Sequence, residues 1–128
     1  MWEKELWIAK RNITTNDDGN DIESFEKPIK YRMNYQPVSG YLDYMKYGEN
    51  VENVYRTFVS KNIYQGVIKA GDKVYLSDND VLEKDLERLV NNDNELCKNA
   101  NYKVEVVLPQ NLLIKIDFLK IKEIKNGN

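Results

Sequence analysis

Several stretches of this chain alternate apolar and polar side chains with a period of two, and that rhythm limits what it can fold into. Ile29, Tyr31, Met33 and Tyr35 fall on one side of an extended segment, with Lys30, Arg32 and Asn34 on the other. Such alternation marks a strand with one buried face. Pro37 ends this segment, because proline cannot donate to a ladder and disfavours helix at Gln36. Val51 to Val59 reads as a second strand, with Val51, Tyr55, Thr57 and Val59 on one side. Near the C-terminus Tyr102, Val104, Val106 and Leu108 alternate with Lys103, Glu105 and Val107, and Leu112, Ile114, Ile116 and Phe118 follow after Pro109-Gln110-Asn111. Two alternating runs about a short polar turn make a hairpin. The apolar phase then slips by one residue, to Leu119 and Ile121. Such a slip moves side chains to the other face unless an extra residue is accommodated, which predicts a bulge or kink near Phe118.

The remaining segments are shorter. Leu6-Trp7-Ile8-Ala9 reads as a first strand, Ile22 to Glu26 as a partner, and Lys73 to Leu76 as another, while Ile63 to Lys69 carries no clear period. Asn16-Asp17-Asp18-Gly19-Asn20 is a turn, since short polar side chains bond to their own backbone there. Between Pro37 and Val51, Ser39-Gly40 opens an aromatic run, Tyr41 to Tyr47, that Gly48 closes; Ser39 can cap a short helix and Gly48 can end it in a left-handed conformation. One segment has the helical period. Asp80 opens it, Glu83 sits where a capping box needs it, and Val81, Leu82, Leu86, Leu89 and Val90 form an apolar stripe opposite Glu83, Lys84, Glu87 and Arg88. The sum is a mainly β chain: one domain over residues 1–128, a small barrel or sandwich of about six or seven strands, with a helical turn near 40–47 and an amphipathic helix near 80–90.

The 128 residues suffice to bury one core, and 31% charged residues predict a well-solvated surface. The net charge of −2 argues against a protein whose main activity is gripping nucleic acid by its phosphates. Cys97 is the single cysteine, which excludes an internal disulfide and fits a reducing compartment. No secretory h-region and no apolar run near the roughly 18 residues of a membrane span occur, so a chain made in the cytosol and without a membrane partner is expected.

Histidine is absent. That removes the commonest general base and metal ligand, and with them Ser–His and Cys–His catalysis. No glycine-rich phosphate loop is present, and no cofactor is expected. Asn16, Asp17, Asp18, Asn20 and Asp21 offer oxygen ligands for calcium, but they lack the spaced pattern that ends in a bidentate glutamate, so a hairpin turn is the simpler reading. Asp78-Asn79-Asp80 lacks the glycine a calcium loop needs, and helix capping accounts for it better. Cys97 reads as a small buried apolar residue. The candidate interaction residues are Tyr41, Tyr44, Met45 and Tyr47. Tyrosines three apart lie along one helix side and bring apolar area at low entropy cost, as at protein–protein contacts; the alternatives are that some rings and Leu42 close a barrel end, or stack on a glycan or nucleobase.

The order of these pieces resembles a known family. Val38-Ser39-Gly40-Tyr41 leads into a short helix ending at Gly48, then Val54-Tyr55-Arg56-Thr57-Phe58-Val59, Gly71-Asp72-Lys73-Val74-Tyr75, and Tyr102-Lys103-Val104-Glu105-Val106-Val107. This is similar to the head–tail joining proteins of tailed bacteriophages, the head-closure or stopper connectors; the helix from Asp80 to Val90 departs from the pattern as an insertion. The resemblance implies a non-enzymatic virion protein at the head–tail interface, assembled in the host cytoplasm. It implies a homo-oligomeric ring, closing the head after DNA packaging, with a portal or adaptor protein and tail proteins as partners. DNA would pass through its channel without specific binding. A tail terminator or minor capsid protein is the nearest alternative, and a small single-strand nucleic-acid-binding barrel a more distant one.

Overall fold

The computed structural model describes residues 3–76, 79–90 and 100–121. In chain order they form β1 (Lys4–Ala9), β2 (Arg11–Thr15), β3 (Asp21–Phe25), β4 (Ile29–Met33), β5 (Tyr35–Pro37), α1 (Tyr41–Tyr47), a 3-10 turn (Gly48–Asn53), β6 (Val54–Ser60), α2 (Lys61–Tyr64), β7 (Lys73–Leu76), α3 (Asn79–Val90), β8 (Tyr102–Pro109) and β9 (Leu113–Lys120). The chain is mainly β, as its alternation requires. The segment read as one strand from Val51 begins instead as the 3-10 turn, and β6 starts only at Val54.

Seven strands form an antiparallel sheet in the order β4-β1-β7-β8-β9-β6-β5. Its two outermost strands, β4 and β5, are consecutive in the chain and separated by Asn34 alone. Met33 pairs with Lys4 of β1, while Tyr35 pairs with Thr57 of β6. One residue cannot span an open sheet, so the sheet must curl until its edges meet. The result is a barrel in which one bent strand serves both edges and no long edge is left open. Thr57, buried on β6, donates its hydroxyl hydrogen to the Asn34 carbonyl at 2.8 Å, and Lys4 Nζ donates to the Tyr35 carbonyl at 3.3 Å. Polar side chains thus satisfy backbone groups at the corner where the ladder changes partner.

The interior follows the predicted alternation. Leu6 and Ile8 of β1, Val74 and Leu76 of β7, and Ile114, Ile116 and Phe118 of β9 share one cluster with Met33 and Tyr35. Tyr35 stands edge-on to Tyr55 at 5.5 Å between ring centroids and to Phe118 at 6.4 Å, arrangements that add to simple area burial. The expected irregularity lies opposite Phe118 and not on its own strand. Val104 pairs with Phe118 and Val106 with Asp117, so Glu105 is an extra residue in β8. Past this bulge the inward position passes from even to odd numbers: Val107 packs on the core and Leu108 is exposed. The sequence reading of Tyr102, Val104, Val106 and Leu108 as one face is therefore corrected at Glu105.

Helix α3 lies against the outside of the barrel, where Leu82 packs with Ala9, Tyr75 and Ala100. Asp85 is fully buried beneath it and accepts a hydrogen bond from the Tyr75 hydroxyl at 2.5 Å. The sequence pattern had no place for this buried carboxylate in the apolar stripe. The side chains of Leu89 and Val90, like Asp78, Leu96 and Cys97, lie outside the described residues. β2 and β3 form a separate two-stranded ribbon whose turn is closed by Asn16, with its Oδ1 accepting from the backbone N–H groups of Asp18 and Asn20.

Thr57→Val keeps the shape of the corner but removes its donor to Asn34. It is expected to lower stability by about 1–2 kcal/mol, measured by urea denaturation, with the spectroscopic signature of the fold retained.

Candidate functional site

Helix α1 is the element whose exposure needs a cause. It runs for seven residues, none of them buried. Gly40 stands at its N-cap, where no side-chain capping bond is made, so Ser39 does not have the capping role its position suggested. Gly48 ends it at φ 59°, as expected of a helix-stopping glycine. Helices this short are not stable in water by themselves, so something outside the helix must hold this one.

Asp43 and Tyr47 are one helical turn apart and therefore share a face. Asp43 reaches Arg56 and Tyr47 reaches Asp117, two residues that pair directly across β6 and β9 on the outside of the barrel. Asp117 is fully buried; Arg56 Nε meets its Oδ1 at 2.6 Å and Nη2 its Oδ2 at 3.1 Å, a two-pronged pair. The same Nη2 donates to Asp43 Oδ1 at 2.8 Å, and the Tyr47 hydroxyl donates to Asp117 Oδ2 at 2.5 Å. Burial alone would raise the Asp117 pKa, but hydrogen bonds from Arg56 and Tyr47 outweigh it and hold the carboxyl below its ordinary value. The hydrogen bond to Asp117 raises the Arg56 pKa against the cost of desolvation. Burial, followed by the bond to Asp117, raises that of Tyr47. Asp117 and Arg56 are thus held in their ionised forms and Tyr47 in its neutral form across the neutral range. The cluster is a clamp that ties α1 to the outer face of β6 and β9.

Clamped by its inner face, α1 presents the other. Tyr41 is 76% exposed, Leu42 80%, Tyr44 57% and Met45 66%. The four residues expected at a contact surface therefore divide. Tyr41, Tyr44 and Met45 face solvent, joined by Leu42, while Tyr47 turns inward. Three-residue spacing falls short of a full turn by about 60°, so a third tyrosine drifts off the shared face. Leu42 does not close the barrel end. The sheet beside the clamp is also apolar: Phe58 is two residues along β6 from Arg56 and on the same outward face, Leu113 sits across from Ser60, and both are exposed, as is Leu108 of β8.

Elsewhere the structure forms two clefts. One of about 220 Å³ is lined by Lys10, Arg11, Glu26, Lys69 and Asp72, among others. The Asp72 carboxylate there accepts from the backbone N–H groups of Arg11 and Lys69, both at 3.0 Å, and ties the loop before β7 to the base of the ribbon. The other cleft, about 390 Å³, lies between the 3-10 turn and the lysine-bearing ends of β7, β8 and β9. Among the described residues no three carboxylate or sulfur ligands converge on a point that could hold a metal, and no helix is long and apolar enough to cross a membrane. The acidic residues after Asn16 are spread around the ribbon turn, where Asp21 accepts from the Thr15 hydroxyl.

Asp117 and its link to α1 escaped sequence reading, yet a signal was present. A carboxylate between Ile116 and Phe118, on a strand paired with one carrying Arg56, is a buried ion pair in outline.

No protein-family model matches the chain, and no curated protein does. Among solved structures, the chain is similar to the solution structure of protein SF1141 from Shigella flexneri 2a, a structural-genomics target. The TM-score is 0.52 with 15% sequence identity, over 91% of this chain and 90% of that one. At that identity the likeness concerns the fold alone, and it extends over nearly the whole of both chains.

Arg56→Met strands the Asp117 carboxylate and is expected to cost about 3 kcal/mol. The pH dependence has a definite sign. Asp117 is depressed below its unfolded value, so its contribution is complete above about pH 4 and is lost as pH falls through the folded value. Urea midpoints of the wild type are therefore expected to drop between pH 5 and pH 3 more steeply than those of Asp117→Asn, which lacks the titrating group.

Proposed function

We propose that this chain is a non-enzymatic structural protein of a tailed-phage virion, a barrel-type connector at the head–tail interface. It acts by assembling into a ring that closes the packaged head and docks the tail. One observation carries this reading: four large apolar side chains stand exposed on a helix that a buried ionic clamp holds in fixed orientation. Leaving that much apolar area in water has a free-energy cost, and such surfaces on small folded domains serve as contacts with other proteins. A rigid display also lowers the entropy lost on association.

The fold class agrees with the small barrel that the resemblance implies, and the bottom-up chemistry supports a role through contact: no histidine is present, and the ionisable cluster described above is fully paired. A closed ring needs two complementary surfaces on each subunit, related by rotation. α1 with the neighbouring outward face of β6 and β9 supplies one, and the ribbon of β2 and β3, which carries exposed Ile13 and Ile22, is suited to the other. Portal or adaptor rings above and tail proteins below are the proposed partners, the virion the proposed location, and the host cytoplasm the place of assembly.

Met45→Glu places a charge on the displayed face without touching the clamp. Its stability is expected to stay within about 0.5 kcal/mol of wild type, while ring formation on mixing with portal or adaptor assemblies, viewed by negative-stain microscopy, is lost. Closed rings formed equally well by the variant would remove α1 from the interface. The absence of rings from the wild type in every such mixture would count against the connector reading itself.

A further inference from the structure

The cleft of about 390 Å³ is lined by Asn50, Lys73, Lys103, Leu119, Lys120 and Ile121. Lys73 and Lys103 are direct cross-strand partners on β7 and β8. Side chains so placed lie on one face with Cβ atoms about 5 Å apart, and like charges in that position oppose folding. Lys120 borders the cleft at the end of β9, but it lies two residues beyond Phe118 and its side chain leaves the strand on the opposite face from Lys73 and Lys103. No carboxylate is among the described residues lining the cleft. The nearest compensation comes from Glu105, the bulge residue, whose Oε2 is 3.3 Å from Lys103 Nζ in a half-exposed pair. Lys73 has its ammonium 5.6 Å from the centroid of the Phe25 ring, a contact that does not neutralise its charge. The smaller cleft behaves differently: Arg11 pairs with Glu23, and Glu26 and Asp72 lie in its wall. Of these two clefts, the larger brings two cross-strand cations together with no carboxylate among its described walls, on a chain whose net charge is negative.

We propose that this cleft is a phosphate-binding site, in which the ammonium groups of Lys73 and Lys103 receive the oxygens of a phosphate group and Asn50 adds a neutral donor. An anionic phosphate group converts the repulsion between Lys73 and Lys103 into attraction for a shared ligand. Two sources carry that chemistry, a free phosphate or the backbone of a nucleic-acid strand. The inference does not rest on the connector reading, because Lys73 and Lys103 belong neither to α1 nor to the clamp that holds it.

The test uses the full chain. Thermal melts with sodium phosphate are compared with melts in sodium chloride at equal ionic strength, and an NMR titration with phosphate locates the response. A fluorescent oligothymidylate is titrated in parallel at low and moderate salt. The expected results are a phosphate-specific rise in melting temperature and amide shifts concentrated at residues 73 and 103. If the source is a nucleic-acid strand, the oligonucleotide binds with an affinity that falls about 2.5-fold over a four-fold rise in salt, as one neutralised phosphate requires. If the source is free phosphate, the melts and amide shifts appear without oligonucleotide binding. Lys73→Gln is expected to lose the phosphate-induced rise while its ligand-free melting temperature stays level or increases, because a like-charge pair is gone. The proposal is overturned if phosphate gives no more stabilisation than chloride and the oligonucleotide does not bind. It is overturned equally if the shifts fall elsewhere, or if Lys73→Gln and Lys103→Gln respond to phosphate as the wild type does.

Discussion

A carboxylate with no exposed surface must be neutralised where it stands, and Asp117 sets the terms for one side of this molecule. Its side chain leaves the outer face of β9, between Ile116 and Phe118 that fill the barrel interior. Arg56 on the neighbouring strand supplies the opposite charge in two prongs, and Tyr47 and Asp43 complete the set from α1. Removing one partner of such a group is far more costly than its net contribution to stability, because the remaining charge is left buried. What it secures is position. A seven-residue helix with no buried side chain is held at one place and one angle, and its apolar residues stay outside.

Closure of the sheet depends on an equally local event. At Asn34 the chain leaves its pairing with β1 and within one residue takes up pairing with β6. The bulge at Glu105 lies across from Phe118 and Asp117 and brings about the reversal of inward and outward positions along β8. Barrel corners commonly use such devices to bend strands without losing the ladder. The outside of the barrel is then covered twice over, by α3 above β1 and β7 and by α1 above β6 and β9, each with a buried aspartate bonded to a tyrosine hydroxyl. The first cover packs in an apolar cluster; the second is ionic and leaves its apolar residues to water.

Much of the fold was legible because period-two alternation is a direct imprint of a sheet with one buried face. The strands about Leu6, Tyr31, Val74 and Ile116 and the helix after Asp80 all read from their own residues. The slip of phase at Leu119 pointed to an irregularity near Phe118, but β9 pairs without a break to Lys120 and the bulge lies in β8, where pairing that no single strand encodes decides it. The conversion of Val51 to Asn53 into a 3-10 turn, and the split at Asn34, were hidden for the same reason: both follow from where the chain must go next. At α1 the residue types pointed to a contact surface, but spacing alone could not tell that Tyr47 faces inward. Asp117, some 70 positions from Tyr47, is what turns it there.

The central claim is that α1 is held rigidly with Tyr41, Leu42, Tyr44 and Met45 outward and Tyr47 inward. Hydroxyl-radical footprinting of the monomeric chain, read by mass spectrometry at single residues, tests it most directly. Heavy labelling is expected at Tyr41, Tyr44 and Met45, with Tyr47 labelled clearly less than these three. Protection of Tyr44 and Met45 in the monomer, or labelling of Tyr47 as strong as theirs, would contradict it.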